Sequence, residues 1–358
     1  MNAITMNSNR DDSISIAKGI GIILMVLGHT HFSKYGNAWV SMVHMPLFFF
    51  FSGYCFKEKY IGHFLTFLRK RIKGLYRPGL KWGLLFLALH NLFFDLNLYT
   101  SATSSLYTSR VFFMKACYII TTMTHYEELL GGYWFLRTLF WCSIISYWMI
   151  VIIKPKIKIG VALLLVMSVF MLLIDKKVPY FDIGARELIA SSFFLVGYDY
   201  RRSNFKWEKT KWIIPIAITL ITIGTFYWRA SMGWFQSMTW WKVLPYVISA
   251  LFGTIAIYAT SLWIKRCEKI SIVFTFIGEH TLEILTWHLL CFKLVSLAIV
   301  VFYNLNVSHL ADFPVIETYS PLGWWTVYLF VGCGLPLITV LAIKYVKRYI
   351  GSFFNTEL

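Results

Sequence analysis

The sequence predicts an all-α, polytopic integral membrane protein, a bundle of about ten transmembrane helices with both termini cytoplasmic. Three observations predict it. Of the 358 residues, 58% are hydrophobic and only 14% charged, where a soluble domain is roughly a quarter charged. Apolar runs recur along the chain, among them "IAKGIGIILMVLG", "WGLLFLALHNLFF", "IGVALLLVMSVFMLLI" and "KLVSLAIVVFY". Each is the apolar centre of a segment near the length that crosses a hydrocarbon core, and without water each must satisfy its own backbone as a helix. Finally, Lys and Arg are distributed unevenly. The net charge of +17 then reflects loop orientation rather than a nucleic-acid surface.

Residues 1–13 read as a polar cytoplasmic tail. No A-x-A-like site follows the first apolar segment, so a cleaved signal peptide is not expected. A single transmembrane domain over 14–346 contains spans at 14–31, 38–56, 80–97, 132–153, 159–174, 187–200, 211–228, 243–264, 283–303 and 323–343, before a cytoplasmic tail at 347–358. With the N-terminus inside, the inward loops carry most of the 34 basic residues, as the positive-inside rule requires. They include Lys57, Lys59, Lys81, Lys154, Lys156, Lys158, Arg201, Arg202, Lys265, Arg266 and Lys344. The segment "VFFMKACYIITTM" (111–123) could be an eleventh span, but a full crossing would move the "KPKIK" loop outside. It is read as a short outer-face or re-entrant helix. Trp134, Trp240, Trp241, Trp324 and Trp325 fall at outer ends, as an aromatic belt would. The six cysteines (55, 117, 142, 267, 291, 333) are widely spaced and lack ligand spacing, so neither disulfides nor a metal site is expected.

Polar residues inside spans are the candidates for function. In span 1, Lys18 and His29 are three helical turns apart on one face, with Ser15, Ile22 and Met25 on the same stripe. Gly21 and Gly28 would admit a neighbouring helix. Lys18 alone could simply snorkel to the inner interface. In span 2, "MVHMPLFFFFSGY" places His44 at a depth similar to that of His29. Pro46 should kink the helix, and Phe48, Ser52 and Cys55 continue the His44 face. Each histidine could instead be a hydrogen-bonded structural residue. The 57–81 loop has eight basic residues in 25. Such a cluster contacts anionic headgroups or holds a phosphorylated cofactor.

Together, "AKGIGIILMVLGH" and "VHMPLFFFFSGY" resemble the opening of the acyltransferase 3 family, in particular its fucose 4-O-acetylase-like members. "GGYWFLRTLFW", "SSFFLVGYDYRR" and "IGEHTLEILTWH" resemble later family segments in the same order. Two departures stand out. Ser15 occupies the position of the family's acid, and "RKRIKGLYRPG" has no Arg-x-x-Arg; Lys70-x-x-Lys73 is the nearest spacing, while counting back from Pro78 points to Arg71 and Gly74. The resemblance implies a multi-pass protein of the bacterial cytoplasmic (inner) membrane that moves an acyl group, commonly acetyl from acetyl-CoA, onto a sugar hydroxyl of a surface glycan or lipid-linked precursor. His29 and His44 become catalytic candidates, as base or acyl carrier, because imidazole titrates near neutral pH. Lys18, Arg69, Lys70, Arg71, Lys73 and Arg77 become candidates for the donor's phosphates. Trp134, Arg137, Glu283 and His288 become acceptor-site candidates. Arg137 could equally pair with Glu127 or Glu128, and Glu279, His280, Glu283, Trp287 and His288 could simply line the bundle. Membrane lipids are expected partners; nucleic acid and metal are not. A transporter or flippase of a glycan precursor is the rival class, although the internal inverted repeats common there are not evident. Membrane O-acyltransferases of the unrelated lipid or protein type fit less well, because they lack the paired histidine blocks near the N-terminus.

Overall fold

The structure is a computed structural model describing residues 11–100, 104–233 and 238–354. It is helical throughout; among the described residues there is no strand, only an isolated bridge between Val178 and Ile183. Helices occupy each of the ten expected segments. Five stretches, Asp12–His29, Glu128–Ile153, Trp240–Ile264, Thr281–Phe302 and Trp324–Val346, are long and apolar enough to cross a membrane unaided, and Ile157–Leu173 and Ile213–Tyr227 are shorter apolar helices. The chain is a multi-pass membrane protein.

Helix α1 (Asp12–His29) opens at Asp11, whose carboxylate accepts from the Ser13 amide at 3.1 Å, an N-cap that satisfies one orphan donor. Arg10 falls outside the described residues. The expected kink of span 2 is a break at Met42–Val43 between α2 (Lys34–Ser41) and α3 (His44–Tyr54). Pro46 lies in the first turn of α3, and its ring cannot coexist with a helical carbonyl four residues back. Gly21 and Gly28 of α1 face this unit: a Cβ would lie 3.0 Å from Leu47 and 3.3 Å from Val40.

The basic run is helical, not a loop. Arg69, Lys70 and Arg71 close α4 (Phe64–Arg71), Lys73 lies in a π-helical turn (Ile72–Tyr76), and Arg77 opens α5 (Arg77–Ala88). The third apolar unit therefore begins 16 residues before the expected position 80. Beyond α6 (His90–Asp95) lies α7 (Ser109–Thr122), 14 residues long, about 21 Å at 1.5 Å per residue. That is shorter than a hydrocarbon core. It packs along α5, and the chain reverses at Met123, a left-handed residue (φ 59°), before α8 (Trp134–Ile153).

α9 (Ile157–Leu173) and α10 (Ala185–Arg202) follow, then α11 (Ile213–Tyr227), α12 (Val243–Ile264), α13 (Glu268–Glu279), α14 (Thr281–Phe302) and α15 (Trp324–Phe354). Helix α10 carries Glu187, Asp199, Arg201 and Arg202 and is nevertheless the helix that α3, α8 and α9 enclose. Glu187 is fully buried, accepting from Thr138 at 2.9 Å and from the Gly184 amide at 2.9 Å. A buried carboxylate persists when its oxygens are bonded.

Candidate active site

The predicted stripes of α1 and α3 line one cavity of about 700 Å³. Ile14, Ser15, Lys18, Ile22 and Met25 come from α1, and Met45, Phe48, Phe51 and Ser52 from α3, with Cys55 just beyond it. Phe135, Leu136 and Leu139 of α8 and Leu282 and Leu285 of α14 close it. It runs from a polar mouth of Asp11, Lys57 and Arg201 to Met25 and Met45, one helical turn before His29 and one residue after His44.

Past its apolar end, His29 Nδ1 lies 2.9 Å from His288 Nε2, the rings stacked with 9° between planes. His288 is fully buried, and its Nδ1 is 3.0 Å from the Ile284 carbonyl and 3.1 Å from that of Leu285. Carbonyls only accept, so the network assigns the His288 proton to Nδ1 and leaves Nε2 as an acceptor. His29 Nδ1 must then be the donor, and the lone pair of neutral His29 sits on Nε2. His29 keeps partial exposure while His44 and His288 are buried. A partly exposed imidazole whose tautomer is held can accept a proton at Nε2.

His44 is buried at the start of α3. Its Nδ1 donates to the Val40 carbonyl at 2.7 Å, closing the break between α2 and α3. The side chain bonded to His29 is that of His288, 259 residues away in sequence, while the hydrogen bond of His44, expected to face His29, goes to Val40.

The other sequence candidates separate. Lys18 lines the large cavity. Arg69, Lys70, Lys73 and Arg77 are exposed and do not line it. Arg71 lies across the Phe67 ring (5.0 Å) and the Phe194 ring (5.9 Å). The cations at the mouth are Lys57 and Arg201, the latter donating to the Tyr54 carbonyl at 3.0 Å. Glu283 is half-buried in the first turn of α14, lining neither cavity described here. Trp287 packs edge-on to Trp82. His280 accepts from Lys344 at 2.9 Å.

Arg137 does not pair with Glu127 or Glu128. It donates to Asp182 at 3.0 Å and to the carbonyls of Phe181 and Asp182. The α9–α10 connection, held by its own bridge, reaches it before the upstream acids can. Burial opposes ionisation of Asp182, but Lys177 and Arg137 outweigh it and hold the carboxyl below its usual range. Trp134 and Arg137 instead border a second, smaller cavity. The stretch "THYEE" (124–128) supplies half of that wall. Four titratable residues between two apolar segments were the signal for it, of which only Glu127 and Glu128 drew notice in the sequence, as partners for Arg137.

A family model described as an acyltransferase domain matches residues 11–342, nearly the whole chain. Neither a curated protein nor a solved structure matches it.

Proposed function

This chain belongs to the acyltransferase 3 family, and from that premise we propose that it is an O-acyltransferase of the bacterial cytoplasmic membrane, moving an acetyl group from acetyl-CoA to a sugar hydroxyl of a surface glycan or its lipid-linked precursor. One observation carries the reading: a cavity with a cationic mouth ends a turn short of a histidine whose tautomer is fixed. The nucleotide end of coenzyme A is polyanionic and suits Lys57, Arg201 and Lys18, with Arg69, Lys70, Lys73 and Arg77 as an outer basic rim. Its thin pantetheine arm suits a channel of Ile22, Met25, Met45 and Phe48, which delivers the thioester toward the histidines.

A sugar hydroxyl is a weak nucleophile at neutral pH. His29 Nε2 takes its proton as the oxygen adds to the thioester carbonyl carbon. The carbon–sulfur bond then breaks, and the imidazolium returns the proton to the departing thiolate. The products are the sugar ester, free coenzyme A and neutral His29. The reading is tested in purified protein with acetyl-CoA and in whole cells by mass spectrometry of surface glycans. His29→Ala should lower transfer by ~10²–10⁴ while acetyl-CoA still binds, and the cells should lose an acetyl mass but keep the glycan. Loss of the glycan itself from the surface would favour transport instead.

A further inference from the structure

The smaller cavity lies across the first turn of α8 from the channel: Trp134 and Arg137 line it, while Phe135 and Leu136 line the channel. It encloses about 160 Å³ between Met123, His125, Glu127, Glu128, Trp134 and Arg137. The residues that follow its lining residue Gly131 approach the reaction centre: a Cβ on Gly132 would sit 3.9 Å from His288 Cε1, and Tyr133 is bonded to Thr286 at 2.6 Å.

The side chains around it are held rigidly yet left incomplete. Glu127 Oε2 is bonded to His90 Nδ1 at 2.7 Å, and His90 Nε2 donates to the Ser105 carbonyl at 3.1 Å. The terminal nitrogens of Arg137 are taken by Asp182 and two carbonyls. The His125 ring is wedged against α5, where a Cβ on Gly83 would lie 2.8 Å from Nδ1, and stands edge-on to Tyr133. Still, both ring nitrogens of His125, Oε1 of Glu127 and Nε of Arg137 are out of solvent with no partner in the protein. Native interiors rarely leave so many polar atoms unmet around one space.

The unmet atoms define what would meet them. Burial, and then the Arg137 guanidinium, push His125 down to about 3, so it is neutral and offers one donor and one acceptor. Glu127 Oε1 only accepts, and Arg137 Nε only donates. A hydroxyl does both, so a ring of hydroxyls satisfies this set. Glu127 and Glu128 disfavour an anion, Arg137 a cation, and Trp134 offers a flat apolar wall. We propose that this cavity binds one sugar unit of the acceptor, neighbouring the unit that is acylated, through His125, Glu127, Arg137 and Trp134. The assignment rests on the acyltransferase reading for the identity of the acceptor, though not for the binding itself.

The test is equilibrium binding of methyl glycosides of hexoses and 6-deoxyhexoses to the full-length protein in nanodiscs, without acetyl-CoA. Wild type should bind at least one. His125→Phe keeps the ring that packs on Tyr133 and removes both nitrogens; it should weaken that binding at least tenfold, and His125→Gln should recover most of it. If His125→Phe does not fold, judged by thermal melting, Trp134→Leu must show the loss instead. Wild type that binds none of the glycosides, or a folded variant that binds as wild type does, overturns the proposal. Failure of the enzymatic reading looks different: no acetyl transfer, with glycoside binding still dependent on His125.

Discussion

At the scale of single residues, the proposed chemistry depends on which nitrogen of His29 carries its proton, and the hydrogen bond to His288 sets that. The sequence supplies both histidines but no period connects positions 29 and 288. Their hydrogen bond is a product of how α1 meets α14. If His288 acts by holding the tautomer, its loss should cost less than loss of the base. His288→Phe should lower kcat by about tenfold or more, short of the ~10²–10⁴ for a missing base, with the KM for acetyl-CoA little changed. His288→Gln, whose carbonyl can accept from His29 Nδ1, should recover part of the rate. A purely structural role would instead lower melting temperature in step with rate and give no preference for Gln. Arg137 teaches the same lesson: its partner, Asp182, is 45 residues away, and only folding brings that connection over.

At the scale of elements, the 3.6-residue period made the cavity legible before the structure. Ser15, Lys18, Ile22 and Met25, and opposite them Phe48, Ser52 and Cys55, were on predicted faces and do line one space. The basic segment was not legible, because dense Lys and Arg look like a loop by hydropathy while their long aliphatic stems tolerate a helix. Nor was the α3–α10 crossing, which depends on backbone proximity. A Cβ on Gly53 would lie 1.8 Å from the Phe194 carbonyl oxygen, and one on Gly197 would lie 2.0 Å from that of Phe50. Neither contact can be relieved by moving a flexible side chain. Gly197→Ala should therefore force the helices apart, lowering stability by roughly 1–3 kcal/mol, the usual range for an overpacked interior. Gly74→Ala, with nothing within 4 Å of its Cβ, is the control. Equal melting of the two variants in detergent would show that the crossing is looser than described.

At the scale of the whole molecule, the cavity gives the bundle a direction. The orientation expected from loop charge would put Asp11, Lys57 and Arg201 on the cytoplasmic side, where acyl-CoA is made; a polyanion of that size does not cross lipid. In that orientation the histidine pair would lie toward the opposite face, where a surface glycan would be met. A native residue reports on this arrangement. Cys55 is exposed and lines the mouth of the cavity, so in a variant keeping it as the sole cysteine, a membrane-impermeant maleimide should react from the cytoplasmic side only. Acetyl-CoA should slow that reaction, because a molecule threaded past Ser52 toward Met25 and Met45 must pass it. Ser52→Trp, which fills the channel midway, should abolish transfer and leave the His29–His288 pair untouched. Labelling of Cys55 from outside intact cells would invert the assigned topology. Labelling from inside at a rate indifferent to acetyl-CoA would leave the topology standing and remove the cavity as the donor's path.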